Sequence, residues 1–433
     1  MNLKGKRLLF IGATSMMATA VKTAKELGIY TVVVDYNKSA PAKDIADKSY
    51  LISTADIDGL LKICDSEKID GVFFGYSEQN QYFALELTER YNFINYATKK
   101  QINILANKAM FKDCCRRFNV SCVPEFTVHK DFTQDELDSI VYPVIVKPVD
   151  SYSGKGISIC TDEKQLIFAI PKAINQSKCG DFLVEKYMSE EEYDIFTAYY
   201  SIQDGNIALS SIADRYMIDF ENQRRLNTAI LYPSQYLSRF VREMDKSICE
   251  MFKGIGLENG TVFLEGAVNE SGFYLWEAGF RLCGAQQNIF SSYINGIDIQ
   301  KMLICHALTG KMAEKNMMIY EDPSFKGKLA CNGILYVRQG KIASIRGNNQ
   351  VVGINGIISF TQLLSEGSEI TAEDIGTLNQ SFARFHAVAN SQNELICAIS
   401  SIIERLEVLD EKGENMLLNT FDFEKMFLKK RWV

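Results

Sequence analysis

The stretch Tyr142–Gly156, YPVIVKPVDSYSGKG, makes the strongest prediction about the fold. It begins as an apolar strand with Lys147 at its end, and it continues as a loop of small residues that contains Ser153, Gly154, Lys155 and Gly156. Such a loop can close over a phosphate chain and offer backbone N–H groups, while the lysine supplies positive charge. The alternative interpretation is a β-turn between two strands beside a surface lysine.

A second strand, Asp181–Glu185, leads into the segment EKYMSEEE, which ends at Glu192. A strand followed by a polar-to-apolar linker can present backbone N–H and C=O groups to the edge of an adenine ring. A carboxylate one loop later can hold ribose hydroxyls. The alternative is a solvated acidic loop.

A third segment predicts a metal site. Glu265 in VFLEGAV and Glu277 in FYLWEAG lie in the two arms of one hairpin, and Arg281 follows shortly after. Two carboxylates on adjacent strands suit magnesium, which binds through one or two carboxylates plus phosphate oxygens. Buried glutamates without a partner are costly, so the remaining structural alternative is an ion pair with Arg281.

The first hundred residues alternate between strand and helix patterns, beginning with the strand Arg7–Ile11. This alternation indicates a parallel sheet covered by helices on both faces. Gly12 stands in the turn after the first strand, but the other glycines of the G-x-G-x-x-G fingerprint are missing. The sequence therefore argues against a nicotinamide-dependent oxidoreductase.

The composition excludes several classes of protein. A net charge of −7 and a pI near 5.3 are unlike the basic surfaces of nucleic-acid-binding proteins. No apolar run approaches the roughly 20 residues of a membrane-spanning helix. The eleven cysteines include no CxxC pair and no zinc spacing, which predicts free thiols in a reducing compartment. We therefore expect a cytoplasmic protein that binds neither nucleic acid nor membranes.

Taken in order, the lysine strand with its loop, the adenine linker and the metal hairpin resemble the ATP-grasp superfamily, in particular its carboxylate–amine ligases. The resemblance implies an α/β and α+β multidomain protein. Its parts would be a Rossmann-like domain over residues 1–106, an ATP-grasp domain over residues 107–312 with a small lobe at about 118–187, and a small mixed α/β domain over residues 313–433.

The same resemblance implies a role for each candidate residue. Lys108 and Lys147 would hold the phosphates of ATP beneath the closing loop, Ser153–Gly156. The adenine and ribose would be bound by Glu185, Lys186, Met188 and Glu192. Glu265 and Glu277 would hold one or two magnesium ions, which manganese can replace, and Arg281 would face an acyl phosphate.

One position departs from the family pattern E-x-N-x-R, which places an asparagine two residues after the second metal glutamate. Here the stretch is Glu277-Ala278-Gly279-Phe280-Arg281, so glycine replaces the third ligand. A water molecule could fill that place, because magnesium retains water readily. The replacement leaves the number of metal ions undecided.

The resemblance implies a ligase that phosphorylates a small-molecule carboxylate with ATP and joins it to an amine. Arg224 and Arg225, in the polar stretch Asp219–Thr228, are candidates for holding a substrate carboxylate, with a solvated loop as the alternative. Glu192 and Asp214 are candidates for the general base. A bicarbonate-phosphorylating carboxylase and a non-catalytic ATP-binding protein remain open, and the sequence does not decide between a monomer and a homodimer.

Overall fold

The N-terminal part of the chain forms a parallel sheet flanked by helices. The computed structural model describes residues 2–151, 155–220 and 225–427. The first elements are β1 (Arg7–Ile11), α1 (Ser15–Glu26), β2 (Tyr30–Val34), β3 (Lys48–Tyr50), α2 (Ile57–Glu67), β4 (Gly71–Phe73), α3 (Glu78–Tyr91) and α4 (Lys99–Ala106). The strand order is β3-β2-β1-β4, and all pairings are parallel. The prediction of a parallel sheet is confirmed, since apolar strands of this kind are buried on both faces.

A second, antiparallel sheet carries the YPVIVKP strand. The elements of this small lobe are α5 (Lys108–Arg117), β5 (Glu125–Phe126), α6 (Gln134–Asp138), β6 (Val144–Pro148), β7 (Ser158–Cys160), α7 (Glu163–Gln176) and β8 (Phe182–Lys186). The strand order is β5-β8-β6-β7. Alternate residues of β6, Val144 and Val146, pack with Leu166 and Ile170 of α7. This packing leaves the opposite face of β6 and β8 available for polar side chains.

The large lobe is built on the antiparallel strands that follow. Its elements are β9 (Asp194–Gln203), β10 (Asn206–Asp219), β11 (Arg225–Tyr232), α8 (Leu237–Phe240), α9 (Lys246–Gly254), β12 (Gly260–Asn269), β13 (Gly272–Gly279), α10 (Asn288–Phe290) and α11 (Ile299–Thr309). The Val123 N–H donates to the Leu275 carbonyl over 2.9 Å, and the Leu275 N–H donates to the Ser121 carbonyl over 3.1 Å. These hydrogen bonds tie β13 to the chain that enters the small lobe.

The C-terminal part contributes strands to the same sheet. Its elements are β14 (Leu329–Tyr336), β15 (Gly340–Arg346), α12 (Asn348–Val351), β16 (Ile357–Gln362), β17 (Glu369–Ile370), β18 (Ser381–Ala389), α13 (Gln392–Arg405), β19 (Glu407–Asp410) and α14 (Phe423–Phe427). The large sheet has the order β13-β12-β9-β10-β11-β14-β18-β16, so it runs across the predicted boundary near residue 313. The domain limits themselves stay a prediction.

Within residues 2–151, 155–220 and 225–427, no helix combines the length and the apolar character needed to cross a membrane.

Candidate active site

Two buried lysines share one buried carboxylate on the polar face of the small lobe. Glu185 on β8 lies 2.6 Å from the Lys147 Nζ through Oε2 and 2.6 Å from the Lys112 Nζ through Oε1. The Lys147 side chain is 5% exposed, and those of Lys112 and Glu185 are 0% and 2% exposed. Burial lowers the pKa of Lys147, and the Glu185 carboxylate opposes that shift. Lys112 and Arg116 also approach Glu125, so three cations share the two carboxylates Glu185 and Glu125, and this group has positive charge left for a phosphate.

Lys112 is a site residue that the sequence interpretation missed. Its Nζ also donates to the Val123 carbonyl over 2.9 Å and lies 3.2 Å from Glu125 Oε2. A helix brings residues four positions apart onto one face, and Lys108 and Lys112 both lie on the buried face of α5. This spacing was the signal that could have identified it.

Lys108 begins α5 and joins the start of the predicted closing loop. Its Nζ donates to the Ser151 carbonyl over 2.8 Å, and its N–H donates to the Val149 carbonyl over 3.0 Å. Ser153 and Gly154 lie outside the described residues, and Lys155 is exposed. Gly156 has φ +79°, and a Cβ there would lie 2.7 Å from Pro148 Cγ, so the loop ends at a position that requires glycine.

The predicted adenine linker follows β8 directly. The Glu185 side chain is occupied by the two lysines, which leaves only its backbone for the predicted contact with adenine. Met188 is buried against Val123 and Ala267. Lys186 donates to the Tyr193 hydroxyl over 3.0 Å, and the largely exposed Glu192 lies 3.9 Å from its Nζ. The roles of these residues in binding adenine and ribose stay predictions.

The two candidate metal ligands lie directly opposite each other on the large sheet. Glu265 pairs with Glu277 in the register of β12 and β13, and the register shifts immediately afterwards, where Trp276 is the extra residue. Like charges in directly opposed positions are destabilising without a counter-ion. Glu265 has one in Arg215, whose guanidinium lies 2.6 Å from Oε2, whereas Glu277 has no cation within ion-pair distance in the described part of the chain.

This donor set fits one divalent cation held by two carboxylates. No group of three or more His, Cys, Asp or Glu side chains suited to a metal occurs among residues 2–151, 155–220 and 225–427. Arg215, which the sequence interpretation missed, comes from β10, two strands away. Burial opposes its charge, but Glu265 more than compensates and raises the pKa of Arg215.

Arg281 follows β13 and stacks over the Phe263 ring, with the guanidinium carbon 5.0 Å from the ring centroid. One terminal nitrogen donates to the Leu282 carbonyl over 3.1 Å, and the buried Nε has no partner among the described residues. The same Phe263 ring occupies the space beside Gly279, where a Cβ would collide with it. Phe263 therefore occupies the space that a side chain at position 279 would need, and it supports the arginine.

The first domain also contributes to the site. Burial raises the pKa of Glu78, at the start of α3. The nearby Glu277 also raises this pKa, whereas Arg281 and Lys108 oppose the shift. These groups therefore surround Glu78 closely enough to act on it. Gln81, one turn further along α3, donates to the Phe280 carbonyl over 2.7 Å and fixes the position of the domain against the residue before Arg281.

Arg225 and Asp214 are already occupied by protein partners. Arg225 lies 2.6 Å from Glu190 and also pairs with Asp219, while Arg224 lies outside the described residues. Asp214 accepts hydrogen bonds from the Ser234 hydroxyl and the Gln235 N–H. Because neighbouring residues of a strand point to opposite faces, Asp214 faces away from Arg215 and the carboxylate pair. We therefore assign it a structural role.

Asp214 predicts a pH dependence of stability. Burial raises its pKa from 3.8 to about 7, so the folded protein holds this proton more tightly than the unfolded chain. The stabilisation is complete below the unfolded pKa and is lost as the pH rises through 7. Asparagine does not titrate, so the variant lacks this pH dependence. We therefore expect the difference in melting temperature, Asp214→Asn minus wild type, to increase as the pH is raised from 4.5 to 7.5. A constant difference would contradict the assignment, and exposed Asp131→Asn is the control.

Comparison with known proteins agrees with this architecture. Residues 107–315 match the family model "Carbamoyl-phosphate synthase L chain, ATP binding domain", and residues 8–86 match "PylC-like, N-terminal domain". The carbamoyl phosphate synthase large chain of Clostridium beijerinckii is 24% identical over 317 residues, which are 70% of this chain and 28% of that protein. The chain thus spans little more than a quarter of that relative.

Two solved structures show the same fold along nearly the whole chain. The L-amino acid ligase from Bacillus licheniformis has a TM-score of 0.76 at 17% identity and covers 94% of this chain and 99% of its own. The biotin carboxylase domain of Hydrogenobacter thermophilus 2-oxoglutarate carboxylase, solved with MgADP, ADP and bicarbonate, has a TM-score of 0.76 at 22% identity and covers 93% and 90%. The family models and the shared fold therefore confirm the predicted resemblance to the ATP-grasp superfamily, with a PylC-like N-terminal domain before the ATP-binding domain.

Proposed function

We propose that this protein is an ATP-dependent ligase that activates a carboxylate as an acyl phosphate and joins it to an amine. The observation that carries the proposal is Arg281, a half-buried guanidinium beside the Glu265–Glu277 pair with no carboxylate partner in the described part of the chain. A cation left unpaired next to a magnesium-type site suits an anion that arrives during the reaction.

Each group of the site has a place in this reaction. Lys108 and Lys147 bind phosphate oxygens of ATP, and the backbone of the 185–188 linker orients the adenine. Glu265 and Glu277 would hold Mg²⁺, which would neutralise charge on the phosphate oxygens. The substrate carboxylate attacks the γ-phosphorus and ADP leaves. The amine then attacks the acyl phosphate, Arg281 stabilises the oxyanion, and phosphate leaves as the amide forms.

The test is phosphate release from Mg-ATP over a panel of amino acids, other carboxylic acids and bicarbonate, each alone and with an amine. Release that requires both an acid and an amine, with an amide as product, supports the ligase. Release that requires only bicarbonate supports a carboxylase-type enzyme instead. ATP binding without release over the whole panel supports a non-catalytic ATP-binding protein. We further propose a cytoplasmic enzyme with small-molecule substrates.

Arg281 gives a prediction that separates chemistry from ATP binding. We expect Arg281→Gln to lower kcat by about 10²- to 10³-fold, as for the loss of an oxyanion donor. The Kd for ATP should stay within about twofold, because the arginine acts on the acyl group. Steady-state kinetics and calorimetric titration with ATP measure the two quantities, and Arg346→Gln, a change at an exposed arginine, is the control. A loss of ATP affinity as large as the loss of kcat would contradict the proposed role of Arg281.

A further inference from the structure

Two arginines of the large lobe differ from the others in their pairing. Seven arginines in the described part of the chain are half-buried. Five of them lie within ion-pair distance of a carboxylate, namely Arg7, Arg215, Arg225, Arg239 and Arg338. The other two, Arg281 and Arg384, have no such partner among the described residues. A guanidinium that is half-buried without an anion is costly, so these two arginines are candidates for binding an anionic ligand.

Arg384 lies on β18, far from Arg281 in sequence, but both contact the same loop. One terminal nitrogen of Arg384 donates to the Gly284 carbonyl, and it lies 3.5 Å from Gln286 Oε1. Gly284 is the third residue after Arg281. The other edge of the guanidinium, formed by Nε and Nη2, has no partner within the described residues. That edge can bind a carboxylate through two parallel hydrogen bonds.

Further unpaired donors lie in this loop. Gln287 is 6% exposed, and its side-chain amide nitrogen has no hydrogen-bond partner among the described residues. Gln287 and Arg281, whose Nε is also unpaired, line one small cavity together with Tyr199, Phe263 and Cys283. Donors without acceptors mark a place for an oxygen-rich ligand, because a buried donor left unpaired is unfavourable.

The charged groups near this cavity also favour an anionic ligand. Cys283 lies between Arg281 and Gly284 in the sequence. Its thiol interacts electrostatically with the Glu265 carboxylate and with the guanidinium groups of Arg281 and Arg215. Arg384 likewise interacts electrostatically with Cys283. Three guanidinium groups but only one carboxylate are thus near enough to this thiol for an electrostatic interaction. Once Glu265 and Glu277 are shared with Mg²⁺, the excess of positive charge increases further.

We propose that Arg384 binds a second substrate carboxylate, one that is not phosphorylated, while Arg281 faces the carboxylate that is. The inference rests on the proposed ligase function and narrows its substrates. Either the acid is a dicarboxylic acid or the amine is an α-amino acid, since both bring a carboxylate that survives the reaction. Bicarbonate and simple monocarboxylic acids with plain amines lack this group.

The test compares substrates with and without the second carboxylate. Phosphate release from Mg-ATP is measured for wild type with dicarboxylic acids and with α-amino acids as amine, and then with the matching amino acid amides and monocarboxylic acids. If phosphate release falls when the amine loses its carboxylate, the amine carries the group that Arg384 binds. If release falls when the dicarboxylic acid is replaced by a monocarboxylic acid, the acid carries that group. Arg384→Gln should raise the KM of that substrate about 10- to 100-fold, as expected for the loss of a bidentate charged contact.

The readouts separate this role from a structural one. For Arg384→Gln, the KM of ATP should stay within twofold of wild type, and the amide analogue should be used equally by wild type and variant. Arg384→Lys should restore part of the affinity, and Arg338→Gln, which changes a paired arginine, should leave both KM values unchanged. Equal use of the carboxylate and its amide by wild type, or an unchanged KM in Arg384→Gln, overturns the inference and leaves the ligase intact. Absence of release with every acid and amine overturns both.

Discussion

Glu277→Gln should lower phosphate release by about 10³-fold, since a bound divalent cation contributes several kcal/mol of charge stabilisation in phosphoryl transfer. Glu277 is the carboxylate of the opposed pair that has no protein cation in the described part of the chain, so its charge is free for the metal. The amide keeps the size of the side chain and removes its charge. We therefore expect the variant to stay folded and to lose its dependence on magnesium concentration.

The control lies in the same hairpin. Glu270 is exposed in the turn between β12 and β13, so Glu270→Gln removes the same charge from the same hairpin without touching the site. Kinetics at varied Mg²⁺ concentration and thermal unfolding of both variants complete the experiment. Wild-type turnover by Glu277→Gln would remove this residue from the metal site, and a large loss in Glu270→Gln would show that the effect is not specific.

Lys112→Met should have the largest effect on stability. The loss of one charged contact to a buried carboxylate that keeps its other counter-ion should destabilise the protein by about 1.5–3 kcal/mol, less than for a charge left with no partner. Lys112 is one of the two cations on Glu185, and without it Lys147 becomes the sole counter-ion of that carboxylate. We expect a lower free energy of unfolding in urea and a weaker Kd for ATP, since Lys147 then has less charge to offer a phosphate.

Adenosine separates the two consequences. Adenosine has no phosphates, so an effect on Lys147 alone should weaken the binding of ATP much more than the binding of adenosine. A distorted small lobe should weaken the binding of both ligands alike. Lys112→Arg keeps the charge and should recover most of the ATP affinity. Lys246→Met, at a side chain that is 90% exposed, is the surface control. Wild-type stability in Lys112→Met would contradict the assigned ion pairs.

The sequence predicted best what depends on local pattern. Lys147 at the end of a strand, and Glu265 and Glu277 in two arms of one hairpin, follow from apolar strands and a short turn. Their direct opposition depends on the bulge at Trp276, which leaves no mark in the residue pattern. Lys112 could have been predicted from its helical spacing to Lys108, but a lysine in a helix is usually exposed, and nothing else in the sequence distinguishes it.

Long-range partners could not be predicted in this way. Arg215 reaches Glu265 across an intervening strand, and Arg384 meets the loop after Arg281 only because β18 joins the large sheet. The β18 sequence, SFARFHAVA, is buried on both faces, so its apolar residues show no alternation that would mark a strand with one polar face. Pairings of this kind depend on sheet order, which a single sequence does not contain.

The packing of Phe263 against Gly279 couples two positions that are distant in sequence. An asparagine introduced at Gly279 alone would meet the aromatic ring, and a smaller residue introduced at Phe263 alone would leave a cavity and withdraw the surface on which Arg281 rests. Each single replacement is therefore unfavourable in the background of the other. We therefore expect that a side chain at position 279 is accommodated only together with a smaller residue at position 263, so the effects of the two changes on stability should not add.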